Sequence, residues 1–160
     1  MSVDMFLKLD GIDGESDDHK HGKEIDISAW DWGLSQSGTT HTSKGGGAGK
    51  VNVQDITVTK YVDKSTPNLI SACCVGKHIK EATITVRKAG EKPVEYVVVK
   101  LKDVLIANIS SGGSGGDDRL TESVTLNFAE FEYTYLPQKA DGSPEGPVRF
   151  AFSISQNTKL

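Results

Sequence analysis

One segment, Ser65 to Gly76 (STPNLISACCVG), carries the punctuation of a helix, in a chain whose other apolar runs alternate like strands. Thr66 is the expected N-cap, because a hydroxyl there accepts from a free backbone N–H of the first turn. Pro67 then takes the first helical position, where its missing donor does no harm. Leu69, Ala72 and Cys73 line one side with Ile70 and Cys74 flanking them, and Gly76 can adopt the left-handed closing conformation. A helix near residues 66–75 is too short to persist alone in water, where roughly 12–15 residues are needed. It must be held by packing, and the surrounding chain offers only sheet. The pattern predicts one helix docked against a β-barrel or sandwich.

The strand signals run the length of the chain. Val3, Met5, Leu7 and Leu9 form a first strand with Phe6 on its second face. Glu24 to Gln36 reads as a second strand whose apolar set changes face near Ser28 to Trp30, which predicts a bulge or strong twist. Val51 to Val62 alternates, and Ala82 to Lys88 and Val94 to Lys102 read as a hairpin. Asp103 to Ser110 continues as a further strand. In the long strand after residue 120, Val124, Leu126 and Phe128 share one parity and Phe131, Tyr133 and Tyr135 the other, predicting a bend at Ala129 and Glu130. Val148, Phe150, Phe152 and Ile154 are expected to face inward on a last strand.

At 160 residues the chain suits a single domain, residues 1–160, with room for a sizeable core. A net charge of −4 argues against nucleic acid as a main partner. No apolar run reaches the roughly 18 residues of a membrane span. The start, MSVDMFLKLD, lacks the basic and apolar regions of a signal peptide, so the protein is expected to mature in the cytoplasm. Adjacent Cys73 and Cys74 point about 100° apart, too strained to bridge, and are expected to be small buried apolar residues.

The motifs with catalytic or ligand-binding chemistry each fail a requirement. The polar stretch Asp10 to Gly22 breaks the EF-hand spacing, with Ile12 or Asp18 where ligand and glycine are needed, so a solvated loop is expected. His19 and His21 share a spacing suited to a metal, with no further ligand set. GGGAGK lacks the first glycine and the hydroxyl residue of a phosphate loop, since Lys44 and Val51 stand there. Ser114, in GGSGG, matches a nucleophile elbow, but a strand follows it where a helix is required. No catalytic residue, metal or cofactor is therefore expected. Ser37 to Lys50 is long and Gly-rich, and loops of that length in compact domains are commonly functional or disordered.

The blocks DMFLKLDGIDGES, EIDISAWDWGLSQSG, GGGAGKVNVQDITVTKYVDKSTPNL, ATITVRKAG, SSGGSGGDDRLTESVTLNFAEFEYTY and PQKADG, taken together over nearly the whole chain, resemble the haemolysin-coregulated protein family. These are the inner-tube proteins of bacterial type VI secretion systems. The resemblance implies a mainly antiparallel β-barrel of two packed sheets with one helix at its side. It implies a homohexameric ring, rings stacked into a tube within a contractile sheath and tipped by a spike protein, and small effectors held in the lumen. It also implies secretion without a signal peptide. The loop 37–50, with Ser43, Lys44, Gly45, Gly46, Gly47 and Gly49, corresponds to the family's extended loop that reaches neighbouring subunits. Family members with a toxic enzyme domain carry it after the tube domain; with Leu160 as its last residue the sequence leaves no room for one. Asp31 stands between Trp30 and Trp32 where a small residue is expected. Strand alternation sends it away from both tryptophans, making it the candidate lumen or cargo contact. Two other classes compete. One is a carbohydrate- or peptide-binding β-sandwich with Trp30, Trp32 and Tyr133 as a stacking platform, and the other a hydrolase using Ser114.

Overall fold

A computed structural model describes residues 2–37, 49–90 and 92–160. Ten strands and one helix occur among them: β1 (Val3–Leu9), β2 (Ile25–Asp31), β3 (Leu34–Ser35), β4 (Asn52–Val53), β5 (Ile56–Tyr61), α1 (Thr66–Val75), β6 (His78–Lys88), β7 (Val94–Ser111), β8 (Thr121–Tyr135), β9 (Val148–Ser153) and β10 (Thr158–Lys159). The main sheet runs β10-β9-β8-β5-β2-β1-β6-β7, and β7 also pairs β8, so six strands close into an antiparallel barrel. Closure removes the sheet edges that an open arrangement would expose.

The closure depends on β8. Its first half, Thr121 to Leu126, pairs β5, and its second half, Glu130 to Tyr135, pairs β9 on the same edge. β7 runs along the other edge of both halves. At the fork both long strands change parity together. Val97, Val99 and Leu101 are buried on β7, then Val104 and Ile106; Val124, Leu126 and Phe128 are buried on β8, then Phe131. Asp103, in the left-handed region at φ 54, marks the change between the Lys102–Glu130 and Val104–Phe128 pairs. The expected bend at Ala129 and Glu130 is thus one side of a paired kink. A second irregularity between Ile106 and Asn108, and one between Ile27 and Ala29 on β2, add the local twist that a small barrel requires.

Several expectations are corrected. The run Glu24 to Gln36 is two strands, because β3 leaves the barrel and pairs β4 as a separate ribbon; Val51 to Val62 splits the same way. On β9 it is Ala151 and Ser153 that are buried, while Val148 and Phe150 are 64% and 46% exposed. β9 hangs beyond the closed part of the barrel, so Phe152 and Ile154 pack against the core as expected, while Phe150, 6.1 Å from the Phe131 centroid, is left half-exposed.

The stretch 10–24 is a strap rather than a solvated loop: Ile12, Gly14, Ser16 and His21 are buried. It is tied by Gly14 N–H to the Lys23 carbonyl (2.8 Å) and Ser16 N–H to the Glu24 carbonyl (3.0 Å). A side chain at Gly14 would lie 2.5 Å from the Glu24 carbonyl oxygen, which explains the glycine. Beneath the strap, Phe6, Thr85 and Arg87 are buried on what is otherwise the barrel's outer face.

Helix α1 packs along β7 through Leu69 and Ala72, both buried. Gly76 closes it at φ 63, as expected. Its N-cap is Ser65, not Thr66, and Ser65 makes no side-chain cap bond. Thr66 begins the helix, donating its hydroxyl to Glu122 and accepting from the Asp63 N–H, so its oxygen is engaged there and not by the helix's free N–H groups. Cys73 is half-buried and Cys74 exposed, against the expectation that both are buried, since the helix covers only the Leu69 side.

Candidate functional site

Register assembles one outer wall of the barrel from four strands. Asp31 on β2 lies opposite Thr57 on β5, which lies opposite Thr125 on β8, which lies opposite Asn108 on β7. The next row is Ala29, Thr59, Ser123 and Ser110. Thr57 and Thr125 hydroxyls meet at 3.2 Å. Within these two rows Asp31 is the only charge, and it is exposed. Trp30, opposite buried Val58, points the other way, into the core. The alternation inferred for this stretch is therefore present: tryptophans inward, Asp31 outward.

The wall on β1, β6, β7 and the second half of β8 differs in chemistry. One row reads Lys8, Thr83, Lys100, Glu132 and another Glu81, Lys102, Glu130. Glu132 pairs with Arg149 of β9, and that guanidinium holds its carboxyl below the usual range. The barrel thus presents one hydroxyl-rich wall, whose two described rows carry the single charge of Asp31, and one zwitterionic wall.

The tryptophans do not form a platform. Trp32 sits edge-on to Phe131 at 4.9 Å and donates its indole N–H to the Gln54 carbonyl at 2.9 Å. Tyr133 likewise packs against the core. Ser114 lies in a turn between β7 and β8, its N–H on the Asp117 carboxylate (3.1 Å) and its hydroxyl accepting from Gly116 N–H (3.3 Å). The strand–turn–helix setting that a nucleophile elbow needs is replaced by strand–turn–strand. Ser43, Lys44, Gly45, Gly46 and Gly47 lie outside the described residues. Gly49 stands at the base of that segment, where a side chain would meet the Ser37 hydroxyl at 2.3 Å.

Two charged clusters escaped the sequence reading. Under the start of α1, Lys60 and Glu122 form a fully buried ion pair, joined by Asp63 at 3.0 Å from the Lys60 ammonium and by the Thr66 hydroxyl at 2.6 Å from Glu122. The signal was present: Lys60 shares parity with buried Ile56 and Val58, and Glu122 with Val124 and Leu126. Under the strap, His21 stacks on Phe6 at 4.4 Å between Glu24 and Glu95. Burial by itself would lower the His21 pKa, but its two carboxylate partners outweigh that and raise it. Arg87 beside Asp18 holds that carboxyl well below the carboxylate range. His19 is exposed and takes no part, so the two histidines do not share a site.

Residues 6–135 match the family described as "Type VI secretion system effector, Hcp". The chain is 58% identical to Protein hcp1 of Pseudomonas aeruginosa, over 99% of both chains. A solved structure titled "Structure of a type six secretion system protein" superposes with a TM-score of 0.94 at 27% identity, covering 99% of this chain and all of the other. Hcp1 from Salmonella typhimurium superposes with a TM-score of 0.83 at 35% identity, covering both chains fully. The chain belongs to the Hcp family, the tube proteins of type VI secretion systems.

Proposed function

We propose that this chain is the repeating unit of a homohexameric ring, that rings stack into a tube, and that the hydroxyl-rich wall bearing Asp31 faces the lumen. The observation that carries this reading is the contrast between the two outer walls. A lumen through which folded effectors pass is best served by a surface of short neutral side chains that bind cargo weakly. The zwitterionic wall suits contact with protein partners such as the contractile sheath. Head-to-tail ring contacts close without leaving a free surface, and a rigid barrel supplies the unit. The segment Ser43 to Gly49, carried by a ribbon that stands apart from the barrel sheet, extends to a neighbouring subunit. The protein acts without catalysis. The spike protein and effectors complete its set of partners, and export proceeds through the apparatus without a cleaved signal. No helix among the described residues is long and apolar enough to cross a membrane.

Light scattering coupled to size exclusion at micromolar concentration tests the ring. Six times the 17.2 kDa subunit mass is expected. A monomer throughout that range overturns the proposal.

A further inference from the structure

The His21 cluster has a geometry that a neutral histidine cannot satisfy. Nδ1 lies 2.8 Å from Glu24 Oε2, and Nε2 lies 2.6 Å from Glu95 Oε1. Carboxylates only accept, and a neutral imidazole carries one N–H, so both bonds together require the doubly protonated ring. The two partners come from different elements. Glu24 closes the strap itself, while Glu95 belongs to β7, 74 residues away in sequence. His21 is therefore the point at which the strap is bound to the barrel by a titrating group. We infer that His21 is a proton-operated fastener, which pins the strap 10–24 to β7 while protonated and releases it when the proton leaves.

The charges around the ring favour the proton. Arg87 of β6 is the one other cation in the immediate cluster, 5.1 Å from the Phe6 ring on which His21 stacks. It is matched by Asp4 of β1 at 3.0 Å and Asp18 of the strap at 2.6 Å. Two cations thus face four carboxylates, Asp4, Asp18, Glu24 and Glu95, and a fifth, Asp26 of β2, lies opposite Phe6 and close to Ser16 and Asp18. A water-accessible cavity of about 300 Å³ beside His21 adds Lys8 of β1 and Lys100 of β7 against Asp10 and Glu81 of β6, which cancel. Asp17, His19, Lys20 and Lys23 are exposed. The cavity also gives the ring a route for exchanging its proton.

The direction follows from linkage. A histidine with a raised folded pKa contributes fully below its free value near 6.5, loses that contribution as pH rises, and has lost it above the folded pKa. The arginine anchor does not titrate in this range. Deprotonation therefore loosens the His21 end of the strap while the Asp18–Arg87 end stays tied.

Two measurements on the full, assembled protein test this. The ring nitrogen shifts of His21, assigned by the His21→Gln variant, should show two protonated nitrogens at pH 6.5. Hydrogen exchange of strap amides, corrected for intrinsic rates, should show protection falling as pH rises above 6.5, by no more than the tenfold per pH unit of one linked proton, and levelling off above the folded pKa. In His21→Gln the strap should be less protected and flat with pH. In Glu95→Gln, which keeps the histidine, the loss should be smaller and should level off at lower pH. A single-tautomer neutral ring at pH 6.5 overturns the inference, as does strap protection that ignores pH or a loss whose extent and upper limit are unmoved by Glu95→Gln.

Discussion

Replacing Lys60 by methionine should destabilise the subunit more than any other single change at a charged residue. Lys60 is 0% exposed, and its ammonium contacts Glu122, Asp63 (3.0 Å) and the Thr66 hydroxyl (3.4 Å). Asp63 is partly solvated and can turn to water. Glu122 cannot: its side chain is fully buried, Oε1 would keep only the Thr66 hydroxyl, and Oε2 already has no partner. Removing one member of a buried pair leaves an uncompensated charge, at a cost of about 3–5 kcal/mol. For a domain of this size that is roughly a 10 °C drop in melting temperature. The stranded carboxylate is relieved by taking up a proton, so Lys60→Met should regain part of the loss between pH 7 and pH 5. The double variant Lys60→Met with Glu122→Leu removes both charges and should recover most of the stability, since apolar replacement of a buried pair is often neutral or better. Urea unfolding followed by circular dichroism gives the three free energies, at one fixed protein concentration because assembly adds to apparent stability. A loss below about 1 kcal/mol in Lys60→Met, with no gain at pH 5, would refute the reasoning. So would a double variant no more stable than the single one.

Two changes probe the proposed tube. Asp31→Asn removes an exposed charge, so melting should shift by no more than a degree or two, the ring should form, and a lysine-rich cargo peptide should bind more weakly by fluorescence anisotropy. A fall of several kcal/mol with cargo binding intact would instead place Asp31 in a structural role. Exchanging Ser43 to Gly49 for a short Gly-Ser linker should leave the far-ultraviolet spectrum and the barrel unchanged while the hexamer dissociates at higher concentration than wild type; an unfolded subunit would make that segment part of the barrel's own stability.

Period two in the sequence determined most of the strands and two of their irregularities. The face change near Ser28 to Trp30 corresponds to the register shift between Ile27 and Ala29, and the parity break after Phe128 to the kink where β8 forks. Both were legible because a bulge, or a kink that turns two paired strands together, exchanges the faces of the residues beyond it and leaves a record in the apolar spacing. The end of α1 at Gly76 was legible for a local reason too, since a left-handed closing residue is strongly biased to glycine. Periodicity reports which residues share a face, however, and not what covers that face. The strap buries Phe6 and Arg87 on an outer wall, and β9 leaves Phe150 half exposed on an inner one, because the covering elements come from distant parts of the chain. The same holds for the charges. Lys60 and Glu122 are 62 residues apart, and His21 and Glu95 are 74 apart. Strand parity marks Lys60 and Glu122 as inward, but nothing local to any of these four residues names its partner. Only barrel closure, which sets β5 beside β8 and lays the strap across β7, brings the partners within bonding distance and makes their burial tolerable.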